Sequence, residues 1–336
     1  MDSVVRGPGS WSGTLLLARG GGPTVRRSVG STAGDGSAPC SPETRFQAGS
    51  ISKQVMTVVA LGLVDAGRVG LHEPVAVHLP EAPTSLRHVT LHHLLSHTSG
   101  LGHWGDLDGL PPVLDVPPPR ADLLGAVFSA GLQDPPGHRF RYSGPGFLVV
   151  AHLVEAITRR SYADAVAEAV IGPARMHDTT SGRFPVDGAA GGHVDGLPIT
   201  VEPAFTDLPG TGDLWTTTDD LHRYVRALRS GTLLSPQLTA AMTAPHVVLD
   251  RPDPDDGILA ARAYGYGTFI GRVLGADGWF VPGDNPGFQS VLAHVPEWDA
   301  DLAVLSNDAA GVRPALDELR RDAAVVFPRS ARTTRP

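Results

Sequence analysis

Ser50 and Lys53 carry the sharpest chemical signal in this 336-residue chain. They stand three residues apart in Phe46-Gln47-Ala48-Gly49-Ser50-Ile51-Ser52-Lys53, at the opening of a stretch whose apolar residues repeat with helical spacing. On a helix, positions i and i+3 share a face, with Cβ atoms about 5–6 Å apart. A serine hydroxyl is a weak nucleophile until a neighbouring base takes its proton. A lysine supplies that base once desolvation disfavours the ammonium form, and the positive end of a helix dipole acts in the same direction. Of the 27 lysines and arginines in the chain, only Lys53 is a lysine. Codon bias toward arginine accounts for the others but not for the exception, because a guanidinium effectively never gives up its proton. The main-chain N–H of Ser50, at a helix start, is suited to helping hold an oxyanion. The bland alternative is a solvated lysine on a first helical turn.

Other stretches of the chain extend this signal. They are Leu94-Leu95-Ser96-His97-Thr98-Ser99-Gly100-Leu101, Pro136-Gly137-His138-Arg139-Phe140-Arg141-Tyr142-Ser143-Gly144-Pro145-Gly146-Phe147, Met176-His177-Asp178-Thr179, Leu214-Trp215-Thr216-Thr217-Thr218-Asp219-Asp220-Leu221 and Pro286-Gly287-Phe288. Together and in this order they resemble the serine β-lactamase/penicillin-binding protein superfamily, in the branch related to class C β-lactamases with its esterases and D-peptidases. The resemblance covers roughly Ser12 to Asp308. It implies Ser50 as the acylated nucleophile, with Lys53 and Tyr142 as the general base and acid. An unperturbed phenol holds its proton to a pH near 10, and a neighbouring ammonium favours the phenolate. The resemblance also implies an oxyanion hole from the backbone N–H groups of Ser50 and Asp284. It places Gly144, Val281 and Gly283 at substrate-binding positions, with Asn285 as a polar contact beside them. Trp104 and Trp215, isolated aromatics near Gly-rich loops, are expected to line the crevice and touch substrate.

Two positions depart from the family pattern. The second motif usually ends in Asn, whose side chain would touch the substrate's acyl amide and the catalytic lysine; here that position is Gly144. The third motif usually reads Lys or His, a small residue, then Gly; here it aligns with Val281-Pro282-Gly283. Valine gives a substrate carboxylate neither charge nor hydrogen bond. Proline removes one backbone donor, which an edge strand tolerates. Both changes weigh against a β-lactam or peptide substrate.

Rival chemistries are thinner. His93 and His97 lie at i and i+4 beside His92, a spacing zinc sites use, but no Glu follows His93 as H-E-x-x-H requires. The expectation is no metal and no cofactor. Cys40 sits in a polar loop without a base nearby in sequence. Tyr264-Gly265-Tyr266-Gly267 is expected to begin a core strand, with either tyrosine within reach of the site.

The elements that must position these residues follow from the pattern. Apolar residues around Gly20-Gly21-Gly22-Pro23 predict an N-terminal hairpin. Helices are predicted over Ser50–Ala66, Leu91–Ser96, Ala121–Ala130, Gly146–Arg159, Tyr162–Val170, Asp219–Leu228 and Pro314–Val326. Strands are predicted at Tyr264–Val273, Phe288–Val295 and Leu302–Leu305, and long Gly/Pro-rich loops at Gly100–Arg120 and Thr180–Gly212. Strands thus lie at both ends of the chain and helices in the middle. The expected fold is α+β: an antiparallel sheet built from both termini (1–90 with 255–336), flanked by helices, with a helical subdomain inserted at 91–254 and the site between them.

Composition narrows the function classes. With 41% hydrophobic and 18% charged residues the chain can build a large core. A net charge of -8 without a basic stripe argues against nucleic acid. One cysteine excludes an intramolecular disulfide. The longest apolar run is too short to span a bilayer, and the N-terminus lacks a signal-peptide pattern, so the reading is cytoplasmic with no membrane partner. The function expected is a serine hydrolase or acyltransferase using a Ser50 acyl-enzyme on a small-molecule or short-peptide ester, thioester or amide. The alternatives are a D-amino-acid peptidase or β-lactamase of the same fold, and a non-catalytic binding relative. The oligomeric state stays open.

Overall fold

In a computed structural model, the structure describes residues 11–33, 38–106, 120–182, 187–199 and 208–326. The chain begins with β1 (Gly13–Arg19), β2 (Gly22–Val29) and β3 (Phe46–Gln47), then α1 (Ile51–Asp65), α2 (Leu91–Leu95), α3 (Arg120–Ala130), α4 (Gly144–Thr158), α5 (Tyr162–Val166) and α6 (Gly172–Ala174). It continues through β4 (Thr180–Ser181), β5 (His193–Val194), β6 (Leu197–Pro198), β7 (Leu214–Thr216), α7 (Thr218–Arg229) and α8 (Pro236–Met242). The last third holds β8 (Val247–Val248), β9 (Leu259–Tyr264), β10 (Phe269–Val273), β11 (Ala276–Asn285), β12 (Phe288–Val295), β13 (Ala300–Ser306) and α9 (Val312–Val326).

The main sheet has eight strands in the order β2-β1-β13-β12-β11-β10-β9-β8, each pair antiparallel. The two ends of the chain meet at its centre-left, where β1 pairs with β13 from Gly13↔Ser306 to Arg19↔Ala300. This is the α+β sheet expected from the sequence. One face, with Phe280, Val291, Ala293, Leu302 and Val304, is closed by α9 through Leu316 and Leu319. The other face, with Trp279, Val281, Leu292, Ala303 and Leu305, shares a core with α1 and with α4 and its neighbours. Burying apolar side chains on both faces is the main stabilising term for such a layered fold.

α1 sits between the sheet and the helical middle, which explains its sequence. It is apolar nearly all round, and every residue from Ile51 to Leu61 is buried. A helix buried on all sides loses the usual polar stripe.

Three elements depart from the sequence pattern. The strand expected over Tyr264–Val273 is a hairpin, β9 then β10, because Gly265 and Gly267 make the turn; Gly267 takes φ +67°. β11 is the longest strand at ten residues, yet the pattern did not single it out. Its Asp277, Gly278, Pro282, Gly283 and Asp284 are residue types depleted in strands. The helix predicted over Tyr162–Val170 breaks into α5, a π-helical turn (Ala167–Ile171) and α6. Within the Thr180–Gly212 segment the described parts contain β4, β5 and β6, while 183–186 and 200–207 lie outside the described residues, as does 107–119 of the Gly100–Arg120 loop. Among the described residues no helix is long and apolar enough to cross a membrane.

Candidate active site

Ser50 occupies the N-cap of α1, where a serine normally turns its hydroxyl back onto the first-turn N–H groups. Here it makes no such bond. Instead Lys53 Nζ donates to Ser50 Oγ at 2.9 Å and to the carbonyl of Thr211 at 2.9 Å. Ser50 is half-buried and Lys53 only 4% exposed. Two fixed acceptors, one a turn earlier at the helix cap and one 158 residues away, hold the ammonium end in one place.

Thr211 belongs to a turn built by a buried carboxylate. Asp213 accepts from Gly210 N at 2.8 Å, from Tyr162 Oη at 3.4 Å and from Ser181 Oγ. Burial raises the Asp213 carboxyl to about 6, against the pull of those donors. Asn285 clamps the same turn: its Nδ2 donates to Gly212 O at 2.9 Å and to Gln47 Oε1 at 2.8 Å. Asn285 was expected to touch substrate. It is buried, and its amide N–H groups are used to tie β11 to the turn and to β3.

Tyr142 is brought in by His97. The main-chain N–H groups on either side of the tyrosine both bind this one residue: Arg141 N donates to His97 O at 2.8 Å, and Ser143 N donates to His97 Nδ1 at 3.1 Å. The rings of His97 and Tyr142 pack at 4.4 Å, and His97 takes φ +55° to do so. The Tyr142 ring centroid lies 5.1 Å from Lys53 Nζ. Because Nδ1 accepts, the His97 ring is neutral with its proton on Nε2. Burial, then the Lys53 charge, then His103 hold His97 well below the ordinary histidine range. The His92/His93/His97 zinc reading fails on geometry: His97 faces the aromatic cluster around Tyr142, and among the described residues no group of three His, Cys, Asp or Glu could hold a metal.

β11 passes directly against the loop that carries Ser50. Gly49 takes φ +52°, and a Cβ there would stand 2.7 Å from Asp284 N. A Cβ on Gly283 would overlap Ala48 O, which already accepts from Ser290 Oγ at 2.7 Å. Only glycines permit this approach. The β10–β11 ladder ends at Phe269↔Phe280, so from Val281 onward β11 pairs with β12 alone. Pro282 therefore sits where a missing donor costs no ladder bond. Val281 was expected at the substrate surface. It is 4% exposed and belongs to the core shared with α1.

The two tryptophans divide. Trp215, expected to line the crevice, is 1% exposed on β7 and packs edge-on against Phe288 at 5.6 Å, so it is core. Its place on a short central strand, between β3 and β4, decides this. Trp104 is half-buried in a single 3-10 turn (Trp104–Asp106), and its indole covers Gly144: a Cβ on Gly144 would stand 2.7 Å from Trp104 Cε2. Gly144 opens α4, where Ser143 caps by accepting from Gly146 N at 2.9 Å. The glycine at the second motif thus has a local cause, since the indole occupies the space a side chain would need.

His103, Thr211 and Asp213 were not singled out in the sequence, and His97 was weighed only as a metal ligand. His97 lies inside the Leu94–Leu101 stretch and His103 two residues beyond it, but Thr211 acts through its carbonyl, which no residue type announces.

Comparison with known proteins gives the family and the fold. The sequence profile of the Beta-lactamase family matches residues 6–327, and the chain belongs to that family. That places it in the β-lactamase/penicillin-binding protein superfamily. It is similar to Esterase EstB of Burkholderia gladioli (34% identical over 178 residues, 48% of this chain and 45% of that protein). It is also similar to Penicillin-binding protein 4 of Amycolatopsis lactamdurans (29% over 287 residues, 78% of this chain and 72% of that protein). It spans 66% of PbpX of Bacillus subtilis at 24% identity. Among solved structures, a penicillin binding protein from Bacillus halodurans superposes with TM-score 0.78 at 28% identity, covering 93% of this chain and 96% of that one. D-amino acid amidase from Ochrobactrum anthropi SV3 shares the fold, with TM-score 0.80 at 23% identity over 96% of this chain and 95% of that one.

Proposed function

We propose that the protein is an acyl-enzyme hydrolase of carboxylic esters, with Ser50 as nucleophile and Lys53 and Tyr142 as its proton-transfer pair. The observation that carries this is the 2.9 Å contact between Lys53 Nζ and Ser50 Oγ, with the Tyr142 ring on the same ammonium. Ser50 Oγ attacks the acyl carbonyl while its proton passes to the Lys53/Tyr142 pair. The carbonyl oxygen becomes the oxyanion and takes hydrogen bonds from the N–H groups of Ser50 and Asp284. Tyr142 returns the proton to the departing alkoxide, leaving the acyl group on Oγ. Water then adds to the acyl carbon, giving its proton to the same pair, and Oγ leaves as the hydroxyl. Thioesters and activated amides fit the same steps, and a second nucleophile in place of water makes the reaction an acyl transfer.

Val281 and Gly144 support esters over β-lactams and D-peptides, since neither position offers a charge or an amide. The partner is then a small acyl substrate, not nucleic acid or a membrane. Ser50→Ala should abolish turnover of 4-nitrophenyl butyrate and remove the fluorophosphonate adduct from the Ser50 peptide. Undiminished turnover in that variant refutes the proposal, and rapid nitrocefin hydrolysis by the wild type would favour the β-lactamase reading instead.

A further inference from the structure

The residue assigned the second oxyanion N–H is an aspartate, and its carboxylate takes no part in the acyl-enzyme steps. Asp284 lies on β11 beyond the end of the β10 ladder at Phe280, on a free strand edge. A Cβ on Gly49 would stand 2.7 Å from its main-chain N, so that edge faces the loop carrying Ser50. Burial alternates along this stretch: Val281, Gly283 and Asn285 are buried, while Pro282 and Asp284 are exposed. The Gly283 face meets Ala48 and Ser290, so the Asp284 side chain stands on the opposite, open face. Burial of its inner part raises the Asp284 carboxyl above the ordinary carboxylate range, and among the described residues neither a cation nor a hydrogen-bond donor offsets that. The basic groups of the site are committed elsewhere. Lys53 Nζ is held by Ser50 Oγ and Thr211 O, and burial keeps His97 and His103 below the ordinary histidine range.

Covalent geometry keeps a carboxylate oxygen of Asp284 within about 5 Å of its own main-chain N. An oxyanion forms about 3 Å from that N. The two negative charges therefore come within about 8 Å of each other for any substrate held there, which is inside the Debye length of about 10 Å at 0.1 M salt. A lone carboxylate at that range opposes the negative charge that builds in the transition state. A substrate that brings its own cation to the carboxylate cancels this opposition, and an anionic substrate adds to it. We propose that the Asp284 carboxylate selects esters carrying a permanent positive charge, such as a quaternary ammonium, within a few atoms of the scissile bond. The proposal rests on the ester-hydrolase reading, which puts the carbonyl oxygen at Asp284 N. Val281 on the same strand gives an anionic substrate no opposing attraction.

Two pairs of esters matched in shape test this near pH 8, where the carboxylate is ionised. The first pair is 4-nitrophenyl 4-(trimethylammonio)butanoate and 4-nitrophenyl 5,5-dimethylhexanoate, with the charge in the acyl group. The second is butyrylcholine and 3,3-dimethylbutyl butyrate, with the charge in the alcohol. The readout is the kcat/KM ratio of cationic to neutral ester, and comparing that ratio between variants cancels the esters' intrinsic reactivities. Asp284→Asn keeps the shape and the main-chain N–H. It should lower the ratio about three- to tenfold in at least one pair, the range of a single charge at this distance in a largely aqueous setting. The cationic ester should lose rate in that variant and the neutral ester should gain it, a crossing that general damage to the site does not produce. Raising NaCl from about 0.02 to 0.5 M should shrink the wild-type ratio more than the variant's, since the attraction is screened. A ratio that Asp284→Asn leaves within twofold of wild type in both pairs overturns the proposal. If Ser50→Ala still abolishes turnover in that case, the hydrolase reading stands without it. No Ser50-dependent turnover of any of the four esters refutes the hydrolase reading and this proposal with it. Circular dichroism confirms that the variant folds, and a wild-type ratio insensitive to salt overturns the proposal without any variant.

Discussion

Gly49→Ala is the substitution whose effect can be worked most directly from the structure. Residue 49 holds φ +52°, which costs an L-residue about 1–2 kcal/mol. The added Cβ meets Asp284 N at 2.7 Å, Gly283 C at 3.0 Å and Gly283 Cα at 3.1 Å. These are backbone atoms, and neither side yields easily. β11 is laddered to β12 through Gly283↔Ser290 and Asp284↔Gln289, and Ser290 in turn holds Ala48 O at 2.7 Å. Relief needs a separation of roughly 0.5–1 Å between the Ser50 loop and β11, given ordinary contacts near 3.5 Å. That separation falls on the two N–H groups assigned to the oxyanion. Displacements near 1 Å cost about 10²-fold in rate, and loss of one oxyanion donor about 10²–10³-fold. We expect kcat on 4-nitrophenyl butyrate to fall about 10–10²-fold with KM little changed, and stability to fall by about 1–3 kcal/mol. Fluorophosphonate labelling of Ser50 should slow in parallel, since it uses the same donors, while the Ser50–Lys53 contact stays. A kcat within threefold of wild type in a measurably destabilised Gly49→Ala protein would show that the close approach of β11 does not set the oxyanion geometry.

Other consequences are as direct. Lys53→Arg keeps the positive charge but not a removable proton, so kcat should fall about 10²–10⁴-fold in a folded protein; intact-mass acylation kinetics check this. Asn285→Ala frees Gly212 O and Gln47 Oε1, both buried, so it should cost about 1–3 kcal/mol by chemical denaturation. Through the Thr211 turn it should also lower kcat more than it raises KM. His97 binds a proton less readily folded than unfolded, so the unfolded chain takes up protons first as pH falls through about 6.5. Its contribution is therefore present above that pH and lost below it, by up to about 1.4 kcal/mol per pH unit. His97→Asn, which tolerates the positive φ, should flatten the fall in stability between pH 6.5 and 5; an unchanged slope would show that the histidine is not held neutral.

The local chemistry was legible because it is local. Ser50 and Lys53 meet across one helical turn, and that geometry follows from their spacing once the apolar run makes the helix. The N-terminal hairpin, α4 and α7, the latter with Thr217 accepting from Asp220 N as its cap, follow from turn and capping residues for the same reason. The sheet closed by both chain ends was legible only as a class of fold, from where strands and helices fall along the chain.

What the sequence by itself determined is the contact between Ser50 and Lys53 and the element that carries them, since helix periodicity acts over a few residues. The tertiary structure decided everything that depends on distant neighbours. It set the acceptor that fixes Lys53, a carbonyl on a turn held by Asp213 and Asn285. It gave His97 the task of holding Tyr142, and buried Trp215 while bringing Trp104 over Gly144. The two tryptophans are the same residue type in similar Gly-rich surroundings. One lies inside a three-stranded sheet and the other on a lip, and side-chain burial is a property of packing, not of type.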